Sequence, residues 1–247
     1  MDLNKKLITL LSSIAVLALL IITTYVNAFK NNKFTCNKYI LNTYLYILLA
    51  FIFITVMVLS LEYNNVDVKI TFWQLIGIFL ITIGVLVILM MTPVKYLIAK
   101  HLLWLLFVLL IGFIMYPLIY QTKNKNIVLS ALLTTITIVV SLSFVAFWKP
   151  EWISLSWGPV LFVLLLAGIV LELISIFVFG THRDRQSYIY KGFMYFFIVL
   201  FSFYVLYDTK MLQIRAKLCK VADYLNESLN LFLDIVNIFV RILALSR

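Results

Sequence analysis

Residues 203–247 read FYVLYDTKMLQIRAKLCKVADYLNESLNLFLDIVNIFVRILALSR, and they place two carboxylates, Asp208 and Asp234, in or beside strongly apolar helical segments. An ionised side chain is costly in hydrocarbon, so such residues usually face the interior of a helix bundle or a wet cavity. The stretch therefore predicts that the two aspartates mark the functional part of a membrane protein. The chain upstream of it is predicted to form the surrounding bundle.

The composition favours the same class of protein. The chain is 64% hydrophobic and only 12% charged, whereas a soluble globular chain is about half apolar and a quarter charged. The apolar residues come in blocks of about twenty, the length that crosses about 30 Å of hydrocarbon. A transmembrane β-barrel would alternate polar and apolar residues, which stretches such as 75–91 do not. We therefore predict an all-α, multi-pass integral membrane protein embedded in a lipid bilayer.

The apolar blocks also predict the domain organisation. Segment A begins after two lysines and ends near small residues, a pattern that also fits a signal peptide. Its apolar run is long for a signal, so we expect a retained helix. Residues 1–29 are predicted as this extra transmembrane helix or signal-anchor, and residues 30–247 as one transmembrane domain. The eight segments, A to H, cover 7–29, 40–61, 71–92, 98–120, 127–148, 159–180, 188–208 and 228–245.

The distribution of charge argues against a nucleic-acid partner, and the cysteine count argues against a disulfide framework or a metal site. A net charge of +10 could indicate a nucleic-acid partner. However, Lys and Arg lie mostly in the short connections between apolar blocks, where they anchor helices and bias topology, so we expect no nucleic acid. Cys36 and Cys219 are too few for a disulfide framework and lack metal-ligand spacing. We expect two ordinary thiols and no cofactor.

Segment H carries a narrow polar stripe along an otherwise apolar helix. Glu227, Asn230, Asp234, Asn237 and Arg241 follow one another at spacings of three, four, three and four, which puts all five on one helical face. A surface helix would have a wider polar face, so we expect the stripe to line an internal path. Interhelical hydrogen bonds that only lock the bundle would give the same pattern.

The depth of a residue in its helix can be estimated from the helical rise of about 1.5 Å per residue. Similar depths then pair residues of this stripe with residues of other segments. Asp234 lies roughly 9 Å into segment H, and Asp208 lies at the same end of segment G. Glu172 in segment F and Arg241 in segment H each lie roughly 20 Å deep. We therefore predict a carboxylate pair, Asp208 with Asp234, and a deeper ion pair, Glu172 with Arg241.

A close carboxylate pair is suited to sensing pH. Two such groups rarely ionise together in a low dielectric and share a proton instead. The protonated pair would hold segments G and H together. The ionised pair would repel and could contact Ca²⁺, which prefers carboxylate and carbonyl oxygens. We predict Asp208 and Asp234 as this pair and metal contact, with Asn230 and Asn237 beside them on the ion path.

Two motifs resemble those of the transmembrane Bax-inhibitor motif family. Tyr207-Asp208-Thr209, then Asp223-Tyr224 and LFLDIVNIF at 231–239 resemble the family's C-terminal signature. The resemblance covers segments B to H. A looser mid-chain pattern has Tyr116 where a glycine is common and Ile136 where an alanine is common, and is otherwise matched at Gly112, Met115, Pro117, Ile119, Ile127, Val128, Ala131 and Thr135.

The resemblance implies a seven-helix bundle with a central last helix, and a pH-sensitive Ca²⁺ leak that dampens cell death. It implies that Asp208 and Asp234 are the family's paired aspartates and that the connection between segments G and H is cytosolic. Segment A departs from it as an extra helix. Segment C also lacks the basic residue that pairs with the aspartates in the family's second helix. If Arg241 compensates, it acts through Asn237 or water, because it lies roughly 10 Å along the helix from Asp234.

Two other function classes stay open. A structural or interaction protein that binds other membrane proteins would use the carboxylates only to lock its fold. Abundant Lys, Asn, Ile and Tyr are typical of AT-rich genomes, so its membrane could be cellular, host-derived or viral. An intramembrane aspartyl protease is the third class. Tyr207-Asp208 fits half of its site, but Asp234 lies between Leu233 and Ile235 and has no adjacent glycine. We therefore expect no enzyme.

Overall fold

A computed structural model describes residues 3–68, 70–122, 124–179 and 188–247. A two-stranded antiparallel hairpin joins the first two helices, and a 3₁₀ turn precedes the sixth. Every predicted segment is a helix, which confirms the all-α membrane bundle; Gly180, the last residue of segment F, lies outside the described residues. The elements are α1 (Leu3–Ala28), β1 (Phe29–Lys30), β2 (Lys33–Phe34), α2 (Tyr39–Tyr63), α3 (Phe72–Met91), α4 (Leu97–Gln121), α5 (Lys125–Trp148), α6 (Trp157–Phe179), α7 (Tyr188–Lys217) and α8 (Tyr224–Leu245).

The helices have the length and composition of membrane spans. Seven of the described helices are long and apolar enough to cross a bilayer, and α6 adds a shorter apolar stretch, Trp157–Glu172. Half of the most apolar window of α8 is buried, against 39% for α4 and 6% for α1. The last helix is thus the most buried of the seven, as expected for a central helix, and α1 is the least buried.

The seventh helix is longer than segment G. It continues past Asp208 as a regular helix and ends at Lys217. Arg215 and Lys217 lie in its last turn, where cations interact favourably with the helix dipole. Asp208 therefore lies inside a regular helix, which fixes the direction of its side chain.

The chain divides into two compact units. In unit 1, α2 packs against α1 and α4, and α4 also packs against α3; in unit 2, α7 packs against α5 and α6. The first residues of α8 belong to unit 1 and the rest to unit 2. The predicted boundary between residues 29 and 30 does not coincide with this division and stays a prediction. Unit 1 comprises Met1–Gln121 with Leu218–Leu229, and unit 2 comprises Thr122–Lys217 with Asn230–Arg247.

Cys36 and Cys219 form a disulfide bond in unit 1, with Cα atoms 5.9 Å apart. The expectation of two ordinary thiols was therefore wrong. The two residues are 183 positions apart, and only the fold brings the α1–α2 connection to the α7–α8 connection. Disulfides persist in oxidising compartments and are rare in the cytosol. The bond thus opposes the cytosolic placement that the family resemblance implies for the α7–α8 connection.

We expect replacement of both cysteines by serine to lower the free energy of unfolding by about 2–4 kcal/mol, because the bond restricts the unfolded chain. Thermal unfolding in detergent micelles, with and without reductant, measures the effect. Reductant should bring the wild type down to the stability of the Cys36→Ser, Cys219→Ser variant and leave the variant unchanged. Equal stability of the oxidised wild type and the variant would contradict the prediction.

Candidate functional site

The two predicted aspartates meet in unit 2. Asp208 of α7 and Asp234 of α8 are joined by a side-chain hydrogen bond. Asp234 is buried, and its Oδ2 atom has no hydrogen-bond partner among the described residues. A carboxylate can only accept hydrogen bonds, so a bond between two carboxyl groups requires a proton on one of them. The geometry thus brings the predicted carboxyl pair together, and proton sharing between its two groups stays a prediction.

Polar contacts with α5 and the turn after it set the rotation of α7 around this pair. Thr209 is fully buried, with its hydroxyl 3.5 Å from that of Ser143 on α5. One turn later, Gln213 Nε2 donates to the Ala146 carbonyl at 2.9 Å, and Lys210 donates to the Ile153 carbonyl. Since successive helical residues point in different directions, these contacts hold Thr209 toward α5 and leave Asp208 to face α8.

The residue before Asp208 is held by the neighbouring helix α6. The Tyr207 ring packs directly over Gly158, where a Cβ atom would lie 2.5 Å from the tyrosine hydroxyl. That distance is far below van der Waals contact, so a larger residue at position 158 would displace the tip of the tyrosine side chain. Contacts of α7 with α5 and with α6 therefore both restrict the position of Asp208.

Glu172 and Arg241 form the deeper ion pair that equal helix depth predicts. Arg241 Nη1 lies 2.7 Å from Glu172 Oε1, and Nη2 lies 3.2 Å from Oε2, a bidentate geometry that makes strong charge-assisted hydrogen bonds. The side chains are 19% and 23% exposed, respectively. The guanidinium carbon also lies 4.4 Å from the centroid of the Phe197 ring, within cation–π range. The Arg241 guanidinium therefore contacts both a carboxylate and an aromatic ring within unit 2.

The two asparagines of the stripe do not connect this pair to the aspartates. Asn237 Nδ2 donates to the Leu233 carbonyl in the preceding turn at 2.8 Å, and Asn230 is half-buried. The structure thus does not support compensation by Arg241 acting through Asn237. A carboxylate at matched depth offers the guanidinium a full charge and two acceptors, which an amide cannot. The predicted place of both asparagines on an ion path stays a prediction.

Unit 1 contains an ion pair that sequence reasoning missed. Lys100 is 1% exposed, and its Nζ atom lies 2.6 Å from Asp223 Oδ2 and 2.8 Å from the Thr92 carbonyl. The other oxygen of Asp223 accepts from the Asn226 amide at 3.2 Å, so the residue also caps the start of α8. In the sequence, a lysine near the start of an apolar helix cannot be told from any other cation at the membrane interface. No residue near Lys100 in the sequence indicates that Asp223 is its partner.

The residue after Asp223 ties the start of α8 to the rest of unit 1. Tyr224 is buried and its hydroxyl donates to the Thr35 carbonyl and accepts from Asn42 Nδ2. One turn on, Ser228 accepts from the Trp104 indole at 3.3 Å. The Asp223-Tyr224 part of the C-terminal motif is therefore an anchor for α8 in unit 1, while Asp234 belongs to the carboxyl pair in unit 2.

The donor set limits the metal chemistry of the aspartate pair. No group of three or more His, Cys, Asp or Glu that could hold a metal occurs in the parts of the chain that the structure describes. Ca²⁺ takes about six to eight oxygen ligands, and Asp208 with Asp234 supplies two carboxylates. The pair is suited to contact with a passing cation, and that contact stays a prediction.

Comparison with known proteins gives the family. The chain matches a BI1-like protein of Arabidopsis thaliana at 34% identity over 125 residues, which is 49% of this chain and 45% of that protein. It matches Protein LIFEGUARD 4 of the same plant at 33% over 128 residues, 51% of this chain and 48% of the relative. A growth hormone-inducible transmembrane protein of Rattus norvegicus is 32% identical over 148 residues, 58% of this chain and 42% of the relative.

The chain spans under half the length of these curated relatives. The family described as inhibitor of apoptosis-promoting Bax1 matches residues 36–246. These residues include the seven helices α2–α8, the Lys100–Asp223 and Glu172–Arg241 ion pairs and the aspartate pair, whereas α1 and the hairpin precede them. The chain therefore belongs to the Bax inhibitor family, as an integral multi-pass membrane protein whose first helix precedes the matched residues.

Proposed function

We propose that the protein is a pH-sensitive leak pathway for cations, with Ca²⁺ as the ion carried and Asp208 with Asp234 as its latch. The hydrogen-bonded carboxyl pair between α7 and α8 carries the proposal. A buried carboxyl whose second oxygen lacks a partner among the described residues is costly to retain for stability alone. Such residues inside membranes mark functional sites.

Electrostatics makes the pair a switch. While a proton is shared, the hydrogen bond holds α7 to α8. When it is lost, two unit charges about 4 Å apart repel by about 4 kcal/mol at an effective dielectric constant of about 20. That repulsion exceeds the ~1 kcal/mol of a typical hydrogen bond. Rising pH therefore separates the two helices and leaves a doubly charged site that attracts cations.

The cell-death role is a second part of the proposal. The matching family is described as an inhibitor of apoptosis-promoting Bax1, and we extend this role to the present chain. We further propose that the aspartates act by sharing a proton and not by catalysis.

Ca²⁺ flux into proteoliposomes, followed with an entrapped indicator across acidic and alkaline pH, tests the leak. We expect flux through the wild type to rise with pH. Asp208→Asn with Asp234→Asn should give low flux that no longer responds to pH, because amides keep a hydrogen bond but cannot develop charge. Glu151→Gln, which changes an exposed carboxylate, should behave as the wild type. Flux that is indifferent to pH and unchanged in the double variant would end the proposal.

A non-conducting protein that binds other membrane proteins is the alternative. The low burial of α1 favours it, because this apolar helix lies before the residues matched by the family and leaves most of its surface uncovered. In that case the Asp→Asn changes alter stability and no flux is seen in the wild type. The two proposals are thus separated by the same measurement.

A further inference from the structure

A cavity of about 290 Å³ lies at the end of α1 in unit 1. It adjoins a wider groove of about 970 Å³, and the two share Tyr25, Phe29 and His101. These volumes fall near the range of small-molecule sites, about 300–1,000 Å³. The cavity walls are mainly apolar and aromatic, with Ile21, Leu49, Phe53, Trp104 and Leu105 among them.

One polar atom in the cavity wall has no partner. Thr24 is 3% exposed, and its hydroxyl lacks a hydrogen bond among the described residues. The adjacent Thr23 donates to the Leu19 carbonyl one turn back at 2.8 Å, so the helix could have satisfied Thr24 in the same way. An unsatisfied buried hydroxyl costs about 1–3 kcal/mol. A ligand with an acceptor at this depth would remove that cost.

His101, which lines both spaces, is not available to a ligand as a hydrogen-bonding group. Its Nε2 lies 2.8 Å from the Tyr46 hydroxyl and its Nδ1 lies 2.7 Å from the Leu97 carbonyl. Both ring nitrogens are therefore used within unit 1. The imidazole serves as a wall, stacked against the Phe29 ring at a centroid distance of 6.1 Å.

The mouth of the groove is positively charged. Lys95 and Asn32 line it, and Lys95 Nζ lies 4.8 Å from the centroid of the Tyr96 ring. The hairpin beside it exposes Lys30 and Lys33, and residues 29–38 contain no acidic residue. Basic residues near a membrane surface attract anionic lipid headgroups, and tyrosine is enriched at that level.

The surface next to the groove has the apolar composition of a lipid-facing surface. Ile98 is 80% exposed and Leu102 is 62% exposed, on a helix with the length and composition of a membrane span. An amphiphile that enters from the bilayer can reach the groove without crossing water. Thr24 lies one turn before the end of α1, roughly 6 Å deeper than the hairpin. Lys95 in the groove therefore offers a contact for a headgroup, and the Thr24 hydroxyl in the adjoining apolar cavity offers a hydrogen bond to an acceptor on the same lipid.

We propose that this region binds one phospholipid, with its phosphate at Lys95, an ester carbonyl at the Thr24 hydroxyl and an acyl chain in the cavity. The site is independent of the proposed leak, because it lies in unit 1 and neither Asp208 nor Asp234 lines it. It would give the additional helix a function of its own, the retention of a lipid between α1 and the start of α4.

Native mass spectrometry of the full chain, delipidated in detergent, tests the proposal with phosphatidylglycerol and phosphatidylcholine of identical acyl chains. We expect one saturable lipid with tighter binding of phosphatidylglycerol. Lys95→Gln should reduce that preference about fivefold, since each basic residue near the surface contributes about 1 kcal/mol. Thr24→Val should weaken both lipids about fivefold through loss of one hydrogen bond of about 1 kcal/mol.

Matched controls separate this site from general lipid association. Thr23→Val removes a hydroxyl that its own helix satisfies, and Lys149→Gln removes an exposed lysine of unit 2; both should bind as the wild type does. Lys95 is exposed, so its variant should fold, and an unchanged melting temperature verifies this. An unsaturable series of bound lipids, or affinities and preference unchanged in both site variants, overturns the proposal.

Discussion

Asp223→Asn should destabilise the protein by about 3 kcal/mol, because it leaves the buried Lys100 ammonium without its counter-charge. Removing one partner of a buried ion pair costs about 3–5 kcal/mol. We expect the lower end, since the Thr92 carbonyl still accepts from Lys100 at 2.8 Å. Asparagine caps helices as well as aspartate does, so the bond to the Asn226 amide is kept and the change isolates the charge.

The reverse change should cost less. Lys100→Met leaves Asp223, whose side chain is 24% exposed and keeps the Asn226 amide as a donor. A partly hydrated carboxylate with a remaining hydrogen bond is less costly than a lysine buried at 1% exposure. The double variant, Lys100→Met with Asp223→Asn, should recover most of the loss, because replacing a whole buried pair is often neutral.

Thermal and chemical unfolding in detergent micelles, combined in a double-mutant cycle, measures these differences. Glu151→Gln is the control, because its pair with Lys149 is long, at 3.6 Å, with side chains 62% and 39% exposed, respectively. Exposed pairs contribute at most about 1 kcal/mol. If Asp223→Asn were no more harmful than Glu151→Gln, Lys100 would not depend on Asp223 for its charge balance.

The helices and the residue pairs at equal depth could be predicted from the sequence, because they follow from periodicity and from the helical rise. All eight helices follow from apolar runs, and the Glu172–Arg241 pair follows from equal depth in segments F and H. Helix spacing also placed Asp208 and Asp234 at one end of neighbouring segments. These features share a physical origin, since a helix that spans a bilayer has known length and rise, and its ionisable groups must find partners at their own level.

Long-range partners in the connections could not be found in this way. Cys36 and Cys219 lie in short connections whose paths no periodicity fixes, so their bond was missed. Lys100 was missed because its partner, Asp223, caps a different helix and the two share no sequence register. Thr24 also carries no signal, as a threonine in a membrane helix normally bonds to its own backbone, and only the structure reveals that this one does not.

Glu172→Gln should have the second large effect, a loss of about 3 kcal/mol in the free energy of unfolding. It removes the counter-charge of Arg241, whose Nε atom is already buried without a partner among the described residues. The Phe197 ring offsets part of the loss, as cation–π contacts contribute about 0.5–2 kcal/mol, which places the effect at the low end of about 3–5 kcal/mol for a broken buried pair. Arg241→Lys should also destabilise, because an ammonium cannot reproduce the bidentate contact.

The Glu172–Arg241 pair also bears on whether Arg241 replaces the basic residue that segment C lacks. In the structure its guanidinium is bound to Glu172 and not to the aspartates. We therefore expect Glu172→Met with Arg241→Met to recover stability to within about 1 kcal/mol of the wild type, while the pH dependence of Ca²⁺ flux in proteoliposomes is unchanged. A shifted pH dependence in this stable double variant would show that Arg241 acts on Asp208 and Asp234 over distance. An unshifted profile would support the proposal that the proton shared between the two carboxyl groups is the sensor, and it would leave the ion pair the separate task of holding α8 to α6.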